Sequence, residues 1–196
     1  MRLYQWCLRV SGDRSLPGYY IQDAIPYIYC DWGELEKALE LAEKSLSMKL
    51  RYQMTDSLPS AYSSLAYVHF ELADYEKTEE LITKTLQLLQ KHGEERFYLI
   101  LNRMVLAWAR LAQGHWVEAR EQIDKTLAEA ENQTDQVCSM AQMLAGTALA
   151  LMGNLDEAED ILLKAEVSLR KMNFRIRLCD NYKALAYIYH ARADPP

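Results

Sequence analysis

The chain has 196 residues, half of them hydrophobic and about a quarter charged, with a formal net charge of −6. This acidic balance argues against a general nucleic-acid-binding surface, because such surfaces depend on Lys and Arg at phosphates. No run of about 18 apolar residues predicts a membrane span, and the N-terminus does not read as a signal peptide. With four scattered cysteines and no secretory signal, we expect a cytoplasmic protein.

The elements predicted along the chain are all α-helices. Apolar residues recur at three- and four-residue steps, and they do not alternate over any useful length, so no strand is expected. Pro59 suits the first turn of a helix, where its missing N–H has no intrahelical partner. Apolar helices alternate with amphipathic ones. In chain order the clearest predicted helices are 34–50, 59–72, 75–90, 98–113, 116–131, 137–152 and 155–170.

A short motif, Gly-x-hydrophobic-x-x-Ala, recurs around the predicted turns between these helices. Its copies begin at Gly33, Gly114 and Gly153, with a looser copy at Ala73, and lysines follow at Lys44, Lys84, Lys125 and Lys164. The steps between the turns are 40, 41 and 39 residues. A fixed period of about 20–50 residues predicts stacked supersecondary units, each in contact with its neighbours.

Residue size at fixed offsets from the turns predicts how the helices pack. A small or compact residue lies seven positions before each turn, which allows the paired helices to approach closely. Large apolar residues lie two positions after the turns, and we expect them to fill the gap between the helices. Trp116 is one of them, so its replacement by Ala is expected to cost about 3–5 kcal/mol. The small residues are Pro26, Ala66, Ala107 and Gly146, and the large ones are Leu35, Tyr75, Trp116 and Leu155.

These features resemble the tetratricopeptide repeat (TPR) family. The resemblance implies an all-α, right-handed superhelical solenoid of stacked antiparallel helix pairs. The period of about 40 residues, rather than 34, is similar to the long-repeat variant in bacterial effector-responsive transcription regulators. Residues 1–196 are then expected to form a single TPR-like solenoid. It would contain a partial repeat at 1–16, repeats at about 17–56, 57–96, 97–135 and 136–175, and a partial repeat at 176–196.

Neither end of this array carries the polar capping repeat that such arrays normally need. We therefore expect the chain to be a fragment of a longer protein. Self-association through the uncapped ends is also expected, since exposed apolar patches commonly mark interfaces. Folding back of Tyr4, Trp6 and Leu8 as a cap is the alternative.

The sequence offers little that predicts catalysis. It contains no Gly-rich phosphate-binding loop and no nucleophile motif. His69, His92, His115 and His190 form no cluster with metal-ligand spacing, and the Glu-rich stretches have basic residues at helical spacing. We expect a protein that is not an enzyme, with no cofactor and no metal.

The TPR resemblance implies a binding surface on the inner face of the first helix of each repeat, at 13, 10, 6, 3 and 2 residues before the turn. In the partial repeat at 176–196 these positions begin at Asp180. This surface is apolar and rich in Met, with aromatic rings towards its ends, which is typical of surfaces that adapt to apolar partners. Packing of the same side chains against neighbouring helices is the alternative. The candidate binding residues are Tyr20, Tyr27, Tyr67, Phe70, Met104, Trp108, Met140, Met143, Lys183 and Tyr187.

Two non-catalytic functions follow from this interpretation. The first is a protein- or peptide-interaction or effector-sensing TPR domain of a larger signalling or transcription regulator, which binds a protein, a peptide or a small effector. The second is a pure scaffold in a multiprotein assembly. Neither involves direct nucleic-acid binding by this segment or a membrane. The first predicts one continuous accessible surface through Tyr67, Met104, Trp108 and Met143, with Trp108 as its anchor.

Overall fold

The computed structural model describes residues 16–92, 96–131 and 134–193. Over these ranges the chain contains nine α-helices, one short 3-10 turn at Thr55–Ser57 and no strand. The all-α prediction is confirmed, and the seven predicted helices agree with the observed ones to within two residues at each end. The helices are α1 (Leu16–Asp31), α2 (Leu35–Arg51), α3 (Leu58–Glu71), α4 (Tyr75–His92), α5 (Arg96–Ala112), α6 (Trp116–Ala130), α7 (Asp135–Leu151), α8 (Leu155–Lys171) and α9 (Arg175–Ala193).

The chain divides into two compact units, Met1–Asn102 and Arg103–Pro196, and the division falls inside α5. In the first unit α1 packs against α2 and α3, α2 packs against α3, and α3 packs against α4. In the second unit α7 packs against α6, α8 and α9, and α8 packs against α9. Each unit therefore repeats one arrangement, in which a helix pair is followed by the first helix of the next pair. A single solenoid over 1–196 stays a prediction.

The turns inside the helix pairs lie at the four predicted positions. Gly33, Gly114 and Gly153 have φ angles of 74°, 80° and 81°, in the left-handed region that glycine adopts without strain. At the first of these turns the Gly33 N–H donates to the Cys30 carbonyl at 2.9 Å, which helps to close the end of α1. Ala73 occupies the same position with a φ of 59°, although its Cβ disfavours that region.

Replacing Ala73 by Gly should raise the free energy of unfolding by about 1 kcal/mol, because the left-handed strain of an L-residue is removed. Urea unfolding followed by circular dichroism measures this change. Ala186→Gly is the matched control, since Ala186 is exposed in the middle of α9 and the same substitution there should destabilise by about 1 kcal/mol. Destabilisation by both variants would contradict a left-handed turn at Ala73.

The paired helices approach closely where the sequence predicts small residues. The four residues seven positions before the turns are all buried. At Gly146 an added Cβ would lie 2.6 Å from Leu162 Cγ and 3.3 Å from the Ala158 carbonyl oxygen. The facing residue on α8, Ala158, is fully buried. Small side chains therefore set the separation of α7 and α8, as predicted.

The prediction that Trp116 is buried is wrong. Trp116 is the first residue of α6, and 51% of its surface is exposed. Leu35 and Leu155, at the same position of their own helices, are half-buried. A side chain at the first position of a helix lies at the edge of the helix pair, so the large indole extends into solvent. The cost of Trp116→Ala should therefore lie well below that of a core truncation.

The first unit contains a buried salt bridge that joins three helices. Lys49 on α2 is fully buried and pairs with the Asp23 carboxylate on α1. The Lys49 ammonium also donates to the Ser57 carbonyl at 3.1 Å, and Ser60 on α3 donates to Asp23. Ser45 donates to the second Asp23 oxygen at 2.7 Å. Burial lowers the pKa of Lys49, whereas the negative charge of Asp23 opposes this shift.

This salt bridge occupies a position that is apolar in the second unit. Asp23 lies ten residues before its turn and Lys49 sixteen residues after it. The same offsets from Gly153 give Met143 and Leu169, both of which are buried. The first repeat thus has a charged pair where the fourth repeat has an apolar one.

Candidate functional site

A groove of about 380 Å³ opens in the second unit, between residues of α5, α7 and α9. These are the first helices of three consecutive repeats. The groove brings together four of the residues that the sequence placed on the inner face, namely Trp108, Met143, Lys183 and Tyr187. We refer to it as the α5/α7/α9 groove.

Helical periodicity explains why these side chains share one surface. On α7 the lining residues Met143, Thr147 and Leu151 are one turn apart. On α9 Asp180, Lys183 and Tyr187 follow the same three- and four-residue steps, whereas α5 contributes Trp108. The repeated helix pairs therefore align two stripes of side chains, on α7 and α9, with Trp108 of α5 along one opening.

The α5/α7/α9 groove is apolar over most of its length. Met143 is 3% exposed and lies at its floor, while Trp108 is half-buried in its wall. Tyr187 and Leu151 are each about half exposed, at 48% and 55%, and lie at the opening. An apolar side chain that entered the groove would therefore meet aromatic, thioether and aliphatic surfaces.

One side of the groove carries three charged residues on successive turns of α9. Asp180 lies 3.4 Å from the Arg177 guanidinium and 3.3 Å from the Lys183 ammonium. All three side chains are at least one-third exposed, and Lys183 is the most exposed, at 79%. The trio has a formal charge of +1. This side of the groove is thus a small cationic region in a chain whose net charge is −6.

Met104 and Met140 are buried and do not line the α5/α7/α9 groove, so this part of the prediction is corrected. Met143 is equally buried, but it lines the groove. Met104 has no exposed surface and Met140 has 6%. Both belong to the core of the second unit, together with Ile123 and Leu144. The expected continuous surface therefore cannot include Met104. Whether the surface otherwise extends from Tyr67 to Trp108 stays a prediction, because these residues lie in different units.

In the first unit the predicted inner-face residues form an aromatic cluster. The Tyr27 and Tyr67 ring centroids are 4.9 Å apart, and those of Tyr67 and Phe70 are 6.4 Å apart. All three side chains are half-buried. Burial raises the pKa of Tyr27 and of Tyr67, and the neighbouring Glu71 carboxylate raises that of Tyr67 further. Both phenols therefore stay protonated near neutral pH. The side chain of Tyr20 lies outside the described residues.

The described part of the chain has few features that indicate catalysis or metal binding. No group of three His, Cys, Asp or Glu residues there is arranged to hold a metal ion. Burial raises the pKa of Cys30 to about 12, and Glu71 and Asp31 add to the effect, so this thiol is a poor nucleophile. Within the same residues, no helix is both long and apolar enough to cross a membrane.

Arg177 lines the groove although the sequence patterns did not predict it there. The inner-face offsets taken from the TPR resemblance start at Asp180 in the last helix, and Arg177 lies one turn before it. Extending each stripe by one helical turn would have included Arg177, because residues three apart lie on the same face. With Asp180 and Lys183 alone this side of the groove has no formal net charge, and Arg177 makes its formal charge +1.

No protein-family model and no curated protein matches the chain. Solved structures do match it. One is the crystal structure of nearly identical TPR-like repeats of a Podosopora anserina protein described as a putative kinesin light chain. It has a TM-score of 0.59 and 17% identity over 89% of this chain and 96% of that one. A variant of the same repeats has a TM-score of 0.58 and 18% identity, and the match covers 88% of each chain. The chain therefore has a TPR-like helical repeat fold.

Proposed function

We propose that the chain is a non-catalytic peptide-binding module, and that the α5/α7/α9 groove receives apolar side chains of a partner segment. The observation that supports this most is the position of Trp108, half-buried in the wall of an open groove whose floor is Met143. Large aromatic residues supply a disproportionate share of binding energy, and Met adapts its shape to different partners.

The dimensions of the groove favour a peptide segment over a folded domain. Its volume of about 380 Å³ is near the lower end of the range for ligand sites, about 300–1,000 Å³. A few side chains fill such a space, and the rest of a bound segment would lie over the exposed first helices. Recognition of a helix in a groove uses apolar residues at this kind of spacing.

Trp108→Ala should weaken peptide binding by about 2 kcal/mol or more, because the substitution removes the largest apolar contact in the groove. The probe is a display library of random 12-residue peptides selected on the immobilised wild-type chain. Enriched peptides are then synthesised, and fluorescence anisotropy gives their Kd for each variant. Trp116→Ala is the matched control, since Trp116 is half exposed and does not line the groove.

Circular dichroism should show the same helicity for Trp108→Ala, Trp116→Ala and the wild type. Enriched peptides that bind Trp108→Ala as tightly as the wild type would contradict the groove as the binding site. Failure of the library to yield any peptide above the bare support would contradict a peptide-binding module of this kind.

The wider role that we propose is a cytoplasmic domain of a larger signalling or transcription regulator, in which the groove senses a peptide or a small effector. The 40-residue period supports this role through its similarity to the long-repeat regulators. It is distinguishable from simple peptide binding, because it requires an output domain in the same polypeptide. The sequence of the surrounding gene provides that check.

A scaffold that uses the outer helices is the second candidate. Leu163 and Val167 lie one turn apart on α8, and 42% and 69% of their surfaces are exposed. Val167→Glu tests this surface with the same selected peptides. Loss of binding in Val167→Glu, together with retained binding in Trp108→Ala, would favour the scaffold. Self-association through the ends also stays a proposal, which sedimentation at high protein concentration checks.

A further inference from the structure

We propose that the α5/α7/α9 groove selects segments with an Asp or Glu side chain beside an apolar residue. Arg177 and Lys183 receive this carboxylate, and Asp180 competes with it for the same two cations. The inference rests on the proposed function, since it specifies the chemistry of the peptide that the groove binds.

The first step is the donor capacity of the two cations. Among the described residues, Asp180 is the one carboxylate within 4.0 Å of either Arg177 or Lys183. A guanidinium has five N–H donors and an ammonium has three, so a single carboxylate uses a minority of them. The distances of 3.4 and 3.3 Å to Asp180 are also longer than those of strong charge-assisted hydrogen bonds, about 2.7–2.9 Å. The trio can therefore accept a second carboxylate.

The second step is position. Arg177 and Lys183 line the same groove as Trp108 and Met143. A segment whose apolar side chain enters the groove brings its neighbouring side chains to this cationic side. Because screening limits exposed charges to a range of about 8 Å in physiological salt, the attraction acts on residues next to the apolar anchor.

The third step is the source of the carboxylate. Both cations are exposed at the side of an open groove, with 43% and 79% of their side-chain surfaces in solvent. A bound segment that continues across the opening presents a side-chain carboxylate to both cations. It needs no chain terminus at that position. The inference therefore commits to a side-chain carboxylate and not to a free C-terminus.

The test uses one library-selected peptide and its Glu→Gln or Asp→Asn analogue, both with acetylated and amidated ends. The wild-type chain should bind the acidic peptide about five- to tenfold more tightly than the analogue, as expected for two partly exposed charges. In Arg177→Gln/Lys183→Gln this preference should fall to about one, because both cations that receive the carboxylate are removed. Because rim charges act mainly on association, raising the salt concentration should reduce the preference in the wild type.

Asp180→Asn gives the opposite result, because it removes the competitor. The preference for the acidic peptide over its neutral analogue should rise about threefold relative to the wild type. Arg170→Gln/Lys171→Gln is the matched control, since it removes two exposed cations of α8 that do not line the groove. This control should keep the acidic preference of the wild type.

The outcomes separate the two proposals. Equal affinity of the wild type for both peptides, with loss of both in Trp108→Ala, would overturn the carboxylate inference and leave the groove as the site. An equal loss of acidic preference in the Arg170→Gln/Lys171→Gln control would overturn the local role of Arg177 and Lys183. A preference that appears only when the peptide has a free C-terminal carboxylate would overturn the side-chain source. Unchanged binding of both peptides in Trp108→Ala would instead contradict the groove itself.

Discussion

Lys49→Met should lower the free energy of unfolding by about 3–5 kcal/mol, the largest loss that we expect from any single substitution named in the first unit. The substitution leaves the Asp23 carboxylate buried without its cation and removes the donor to the Ser57 carbonyl. A buried charge without a partner retains its full desolvation penalty. Urea unfolding monitored by circular dichroism measures the change.

The fourth repeat supplies the control for this experiment. Asp23→Met/Lys49→Leu introduces the residue types of the buried pair Met143 and Leu169 at the equivalent positions of the first repeat. Replacing a buried ion pair by apolar residues is often neutral or stabilising by about 1–4 kcal/mol. The double variant should therefore be much more stable than Lys49→Met. A double variant no more stable than the single one would show that the serine contacts, not the charge pairing, determine the stability.

Leu162→Ala should lower the free energy of unfolding by about 2–5 kcal/mol, because Leu162 is fully buried in the core of the second unit and its truncation leaves a cavity. Gly146→Ala should destabilise the wild type by about 1–2 kcal/mol, since an overpacked methyl group outweighs the better helix propensity of Ala. Thermal or urea unfolding of each variant measures both values.

The two substitutions should compensate one another. In the Leu162→Ala background the atoms nearest to the Cβ that Gly146→Ala introduces are absent, because these atoms are Leu162 Cγ and Cδ2. Gly146→Ala should then be neutral or stabilising, and the double-mutant cycle should give a coupling of about 1–3 kcal/mol. Additive effects would contradict direct contact between the two positions.

The sequence was sufficient for the fold because the information that sets a helix pair is local. Gly33 and Gly153 mark left-handed turns, and the apolar spacing around them fixes which face of each helix is buried. Even Ala73, which lacks the glycine signal, was identified through its distance from the other turns. The repeat spacing thus predicted a turn at a residue that by itself disfavours the left-handed conformation.

The candidate site was only partly predictable. Trp108 and Met143 line the same groove, because helical periodicity places each of them on the face of its helix that borders the opening. Met104 was not distinguishable from them in sequence, since its burial depends on the separation between helices, which no local pattern specifies. The burial prediction for Trp116 was wrong for a related reason. Its offset from the turn was correct, but its side chain lies at the edge of the helix pair, where the ring is exposed to solvent. The partner of Lys49 lies 26 residues away, beyond the reach of any spacing rule for a single helix.

Helix α5 has a practical consequence for dissecting the protein. The division between the compact units follows Asn102, so a fragment that ends there retains only residues 96–102 of this helix. Such a short segment rarely holds helical structure in isolation, and its last carbonyl groups would lose their main-chain donors. A fragment extended to Gly114 keeps the whole helix and its left-handed terminus. The second unit also requires α5. Two separately expressed fragments that are meant to complement one another must therefore each contain this helix.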